Sequence, residues 1–183
     1  MKKVKALLYC TKKQPYLVKD DFPLENEPIY FTHYKEPGCC GLPLNGKIVA
    51  KCEVETEEIR LSEYPYYDDC SIALFDTPTL TNDELLDKSC LHHNELNDYL
   101  IGQKGYALHI KNLEELNQPL TNYIYKKPSD FNHVYKAPQN MMRVYDKFDN
   151  EYILISVRPE WLCKILNGEK TIEVRIKVLK EML

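Results

Sequence analysis

The 183-residue chain has no long apolar run, no excess of positive charge and no glycine-rich phosphate loop. Each absence removes a class of protein. No hydrophobic stretch approaches the ~20 residues that a membrane-spanning helix needs, so no membrane role is expected. With 24 Lys and Arg against 28 Asp and Glu the net charge is −4, which excludes the global basic field that drives tight, non-specific nucleic-acid binding. Any contact with nucleic acid has to be local. The six glycines form no phosphate-cradling pattern, and no internal repeat or low-complexity tract is present. No signal peptide precedes the odd set Cys10, Cys39, Cys40, Cys52, Cys70, Cys90 and Cys163, so free thiols in the reducing cytosol are expected. Vicinal Cys39 and Cys40 near His33 lack the second ligand pair that zinc requires, and neither metal nor cofactor is expected.

What is present suits one α+β domain over residues 1–183, large enough to bury roughly two-thirds of its extended surface. Its charge is uneven. Glu151 to Leu183 carries six Lys or Arg against five acids, whereas Glu53 to Asp69 sets seven acids against Arg60 alone.

The most organised stretch is Tyr152 to Lys177. Tyr152 to Ser156 is a β-rich run, and Pro159 stands where a helix can start, because its fixed φ and missing N–H are harmless in a first turn. Trp161, Leu162, Ile165 and Leu166 fall on one helical face, and Asn167-Gly168 tolerates a left-handed stop. From Thr171 to Arg175 the pattern alternates. Ile172 and Val174 point one way, while Thr171, Glu173 and Arg175 form a polar row about 7 Å apart beside Lys170. Spacing leaves two readings open, a ligand-reading row or the solvated face of an antiparallel sheet.

Upstream, Val4 to Cys10 reads as a strand ending in the donors Thr11-Lys12-Lys13, Ile29 to His33 as a short strand, and Asn45-Gly46 as a hairpin turn into a strand over Lys47 to Thr56. Tyr64 to Asp69 is a turn-rich aromatic stretch. Thr81-Asn82-Asp83-Glu84 is a capping box that opens a helix running to about Lys88, and a second helix runs from His93 or Asn94 to Ile101. Gly105 to Lys111 is a strand with Tyr106, Leu108 and Ile110 on one face and Ala107, His109 and Lys111 on the other. Leu113 to Tyr145 reads as a long irregular loop or insertion, and Asp146 to Asn150 as a polar turn.

Ile155-Ser156-Val157-Arg158-Pro159-Glu160 followed by Gly168-Glu169-Lys170-Thr171-Ile172-Glu173-Val174-Arg175 resembles the opening of ASCH domains, which share the PUA-like β-barrel associated with RNA binding. Leu8 to Lys12, Gly46 to Val49, Tyr106 to Ile110 and Ala137 to Asn140 resemble segments of phage-type ASCH proteins, extending the likeness over most of the chain. In those relatives the strand-helix-strand piece comes first, whereas here it comes last. The resemblance therefore implies a circularly permuted barrel in which 1–145 supplies barrel strands and insertions and 151–183 completes it. Met1 and Leu183 should then be neighbours, and Thr171 to Arg175 should share a sheet with Ala6 to Cys10. A domain-swapped dimer would satisfy the same pairing between chains.

The same resemblance implies a cleft lined by Ser156, Arg158, Lys170, Glu173 and Arg175, joined by Thr11, Lys12, His109 and Gln139. Guanidinium forks and ammonium point charges suit phosphate or a base edge, and Glu173 suits an exocyclic amine, so a nucleotide or single-stranded nucleic acid, RNA above all, is the expected ligand. Among ASCH proteins, amidohydrolases acting on acetylcytidine use a Lys with a Thr and a Glu. Lys170 matches that Lys, Glu173 stands where they carry the Thr, and Thr171 is close by, making Lys170, Thr171 and Glu173 the catalytic candidates. Other members resemble ribonucleases, from which no catalytic set transfers. A third expectation is a phage-encoded inhibitor of a host protein such as a CRISPR effector nuclease, using the acids of Glu53 to Asp69 and neighbouring tyrosines as its interface.

Overall fold

A computed structural model describes residues 2–11, 47–61, 75–100, 103–120, 140–146, 148 and 150–183. The described elements, in chain order, are β1 (Lys3–Cys10), β2 (Ile48–Leu61), β3 (Phe75–Asp76), α1 (Asn82–Ser89), α2 (His93–Leu100), β4 (Gly105–Leu120), β5 (Met141–Tyr145), β6 (Glu151–Val157), α3 (Pro159–Leu166) and β7 (Ile172–Arg175), followed by a 3₁₀ turn at Lys180–Met182. Expected features at Lys12, Ile29 to His33, Cys39-Cys40, Asn45-Gly46, Tyr64 to Asp69 and Gln139 lie outside the described residues.

Six strands form one mixed sheet in the order β5-β6-β1-β2-β4-β7, with β3 paired to β2. β1 and β6 run parallel with Ala6 opposite Ile153, and the other pairings are antiparallel. The two ends of this order meet. Arg175 on β7 donates to the Ser156 carbonyl on β6 at 2.5 Å, and the Asn140 side chain ahead of β5 donates to the Lys177 carbonyl at 2.8 Å. The sheet is thus curled into a barrel-like body. Its β7 strand shares the sheet with β1, as the segment order requires. Lys2 to Lys5 and Glu181 border one hollow, so the described ends of the chain lie side by side, while Met1 is outside the described residues.

Sequence alternation explains most of the packing. Ala6, Leu8 and Cys10 of β1, Ala50, Cys52 and Val54 of β2, and Ile153, Ile155 and Val157 of β6 fill the interior against Leu162 and Ile165 of α3. On the outer face, Ile59, Ala107, Ile172 and Val174 are covered by Leu85 of α1 and Leu96 and Leu100 of α2. The capping box is formed in full, with Thr81 Oγ1 accepting from the Glu84 N–H and the Glu84 carboxylate accepting from the Thr81 N–H. Gly105 lets β4 pass close to α2, since a Cβ there would stand 2.5 Å from Leu100 Cδ2.

The long-loop reading of Leu113 to Tyr145 is corrected at both ends. β4 continues to Leu120, with Glu115 opposite Ala50 and Leu120 opposite Ile48, and Met141–Tyr145 is a strand paired to β6. The polar, proline-containing sequence hid the strand because its hydrogen bonds come from β2, a non-local partner. A bulge at Asn112, whose φ is +49°, also breaks the alternation that would have announced it. A register shift between Ile48 and Ala50 likewise interrupts the inner-outer alternation at the start of β2: Val49 and Ala50 both pack in the interior and Ile48 outside it.

Candidate functional site

β7 positions the polar row by pairing antiparallel with β4, which sets Glu173 opposite Leu108 and Arg175 opposite Tyr106. Leu108 belongs to the interior cluster, so Glu173 and Arg175 face inward rather than solvent. Glu173 is 8% exposed and Lys170 only 3%.

These charges are wired together. Lys170 Nζ donates to the Ser89 carbonyl at 2.6 Å, stands 3.4 Å from Glu173 Oε2 and lies 4.9 Å from the centre of the Trp161 ring. Arg175 then contacts Glu173 Oε1 at 2.8 Å and reaches on to the Ser156 carbonyl. The result is a continuous buried chain from the end of α1 through Lys170, Glu173 and Arg175 to β6. Burial lowers the pKa of Lys170, with the Glu173 carboxylate opposing that shift. Arg175 Nε is buried with no hydrogen-bond partner among the described residues.

The Gly-Glu-Lys-Thr segment also closes the C-terminus of α1. The Thr171 N–H donates to the Lys88 carbonyl, Lys170 to that of Ser89, and the Cys90 thiol lies 3.4 Å from the Glu169 carbonyl. A cation at the negative end of a helix is favourable in itself. Lys170 therefore does two jobs that spacing did not separate, and its ammonium is turned into the protein.

At one end of the barrel-like body β1 and β6 stop together, with Cys10 opposite Val157. The Thr11 N–H donates to the Val157 carbonyl, placing Thr11 beside Arg158; the Ser156 side chain, only 3% exposed, falls on the face of β6 opposite Ile155 and Val157, so the expected cleft residue meets Arg175 through its backbone carbonyl alone. Arg158 is exposed and occupies the N-cap of α3 without capping it through its side chain, and Pro159 follows as anticipated. Glycine at 168, with φ +77°, ends the α3 connection and returns the chain to β7.

Two expected members are placed elsewhere. Thr171 is exposed while Lys170 and Glu173 are buried, so the three catalytic candidates do not converge and the expected uniform row is split by burial. His109 falls on the opposite face of β4 from Leu108. There its Nε2 meets Glu57 Oε1 at 2.6 Å, and Thr79 donates to the other Glu57 oxygen at 2.8 Å. Lys12 and Gln139 lie outside the described residues. Ser89 escaped sequence reasoning altogether, since a buried serine offering its backbone carbonyl carries no motif. Asn140, which ties β5 to Lys177, was visible only as part of the Ala137 to Asn140 segment.

The acidic stretch of β2 is largely paired within the sheet. Lys111 meets Glu55 at 2.6 Å, Asn112 donates to Glu53 at 2.7 Å, and Lys3 lies 3.9 Å from Glu53 and 3.7 Å from Glu55. Among the described residues no group of three or more His, Cys, Asp or Glu could hold a metal ion, and no helix is long and apolar enough to cross a membrane. A scan of protein-family models, a search of curated proteins and a search of solved structures each returned no match to this chain.

Proposed function

We propose that this protein is a circularly permuted, PUA-like domain of the ASCH type that binds a single-stranded segment of nucleic acid, or one nucleotide, at the shared end of β1 and β6. The observation that carries this reading is the reach of Arg175 to the Ser156 carbonyl, which joins the buried Lys170–Glu173–Arg175 chain to the end of β6, next to the exposed Arg158. The exposed Arg158 and the positive end of α3 receive a phosphate. Arg175 and Glu173, turned inward and engaged with each other, brace β7 against β6 behind this surface rather than meeting the ligand. Lys170 is a positioning residue in this reading, fixing Glu173 rather than touching ligand.

The size and sign of the cluster favour a short contact. A duplex requires a track of cations, whereas this end of the body presents the exposed Arg158 on a chain of net charge −4. The inhibitor reading draws less support, because Glu53, Glu55 and Glu57 are engaged within the sheet. The amidohydrolase reading lacks a Lys–Thr contact, Thr171 being at the surface.

Fluorescence anisotropy with a labelled single-stranded oligoribonucleotide tests the proposal. Binding should weaken as salt rises, and Arg158→Ala should reduce affinity about tenfold and flatten the log–log salt slope by about 0.7 for the lost phosphate contact. Arg158 is exposed and supplies no side-chain cap, so its loss leaves folding intact. Equal binding of single strands and nucleotides by wild type and Arg158→Ala, or no binding at low salt, overturns the assignment.

A further inference from the structure

The chain's single tryptophan stands in the first turn of α3, the helix that begins after Arg158. Pro159, Leu162 and Ile165 form the buried face of α3, and Trp161, next to Leu162, falls on the flank of that face, half-buried rather than enclosed. Its ring centre lies 4.9 Å from Lys170 Nζ and 5.2 Å from Lys164 Nζ. The two contacts differ in kind. Lys170 is 3% exposed and tied to the Ser89 carbonyl, so it holds the indole from the protein side. Lys164 is half-buried, sits on a flexible stem and has no carboxylate partner among the described residues, so its ammonium is the contact that a ligand displaces.

Arg158, Trp161 and Lys164 follow one another at intervals of three residues, about 4.5 Å along the axis for each step. Arg158 is exposed and, like Lys164, unpaired with any carboxylate among the described residues. Cation, aromatic ring and cation in succession suit a single strand, because the cations track its phosphates while the ring stacks on a base. Net charge does not carry this. From Arg158 to Lys170 three cations meet the two acids Glu160 and Glu169, leaving only +1, and around the helix Lys164 falls between Glu160 and Trp161. Stacking does not depend on those acids, and it supplies the binding that so small a charge cannot.

We propose that Trp161 is the stacking platform of the nucleic-acid site: a base packs on the solvent side of its indole, the phosphate of that nucleotide lies at Arg158, and the Lys164 ammonium leaves the ring for the neighbouring phosphate. The inference rests on the nucleic-acid reading above and narrows it, because a phosphate without a base leaves Trp161 unused. The ligand is a base-bearing single strand, and purines, with the larger ring surface, bind more tightly than pyrimidines.

The test uses the full chain at low salt with an oligoriboadenylate, an oligoribouridylate and an abasic ribose-phosphate strand of the same length. Anisotropy of end-labelled strands reports binding, and with unlabelled strands the emission of Trp161, the one tryptophan, reports contact with a base. Wild type should lose emission on adding oligoriboadenylate, with the midpoint seen by anisotropy, and should bind it about tenfold more tightly than the abasic strand, with the uridylate between them. Trp161→Leu should lower adenylate affinity to that of the abasic strand without changing the salt slope, whereas Trp161→Phe, which keeps a ring, should retain most of the preference. Circular dichroism checks that each variant folds, and the wild-type comparison decides the matter even where one does not. Arg158-dependent binding that leaves Trp161 emission unchanged, or that is equal for all three strands, overturns the stacking inference and leaves the nucleic-acid reading standing. No binding of any strand overturns both.

Discussion

Replacing Lys170 by Met is the most direct test of the buried charge chain. The substitution keeps the length of the side chain while removing an ammonium that bonds the Ser89 carbonyl at 2.6 Å, approaches Glu173 at 3.4 Å and stacks over Trp161 at 4.9 Å. A hydrogen bond to a charged group contributes about 1.5–3 kcal/mol. Removing one partner of a buried ion pair costs about 3–5 kcal/mol when the other is left uncompensated. Glu173 is not left alone, since Arg175 stays 2.8 Å from its second oxygen, and the variant is relieved of the ammonium's desolvation. The expected net loss is about 2 kcal/mol, a fall of about 1 M in the urea midpoint for a slope near 2 kcal/mol/M. Urea unfolding followed by Trp161 fluorescence measures it, and a cycle with Glu173→Gln should give a coupling of about 1–2 kcal/mol.

The same residue sets a sign for pH. Burial lowers the folded-state pKa of Lys170 below its ordinary 10.5, so the unfolded chain binds that proton more tightly. Stability from this group therefore rises with pH between the folded value and about 10.5. Tyr9, Tyr152 and Cys52, whose pKa values are raised by burial, contribute with the opposite sign, but they cancel when wild type is compared with Lys170→Met. The stability gap between the two proteins should widen through the alkaline range. A midpoint that does not move, or a gap that narrows with pH, would refute the account of Lys170 as a paired, desolvated cation.

Three further outcomes are expected. Gly105→Ala should cost about 1–3 kcal/mol by thermal or urea unfolding, because its Cβ would stand 2.5 Å from Leu100 Cδ2 and Leu100 is locked in the outer cluster. Thr81→Ala should cost about 1 kcal/mol by removing the cap of α1, and should do so without altering oligonucleotide affinity. Cys52, whose thiol is pushed up to about 12 by burial, should resist alkylation at pH 8 in the native state and react once urea unfolds the chain, as read by peptide mass mapping; Cys90 and Cys163, both half-buried, should react before Cys52.

Local signals in the chain were enough for β1, α1, α2, α3 and β7 and for the turn from Asp146 to Asn150. Each depends on neighbours in sequence: the Thr81–Glu84 box, Pro159 in a first turn, Gly168 at positive φ, and alternation in Thr171 to Arg175. Asp146 accepts from the Phe148 and Asn150 N–H groups, a turn written within five residues. The second half of β4 and all of β5 were not legible. Their backbone bonds are supplied by β2 and β6, so a polar segment with a proline became strand through a partner that no window of sequence contains.

The site divides along the same line. The sequence by itself determined that Glu173 and Arg175 would be carried at period two on one short strand, with Lys170 just ahead of it. Only the tertiary structure decided that Thr171 would stay at the surface, that Lys170 would turn inward onto the Ser89 carbonyl, and that His109 would pair with Glu57 across the sheet. Alternation specifies which residues share a face. Whether that face meets solvent, a helix end or another strand depends on how the sheet curls, and that is set by contacts between residues far apart in the chain.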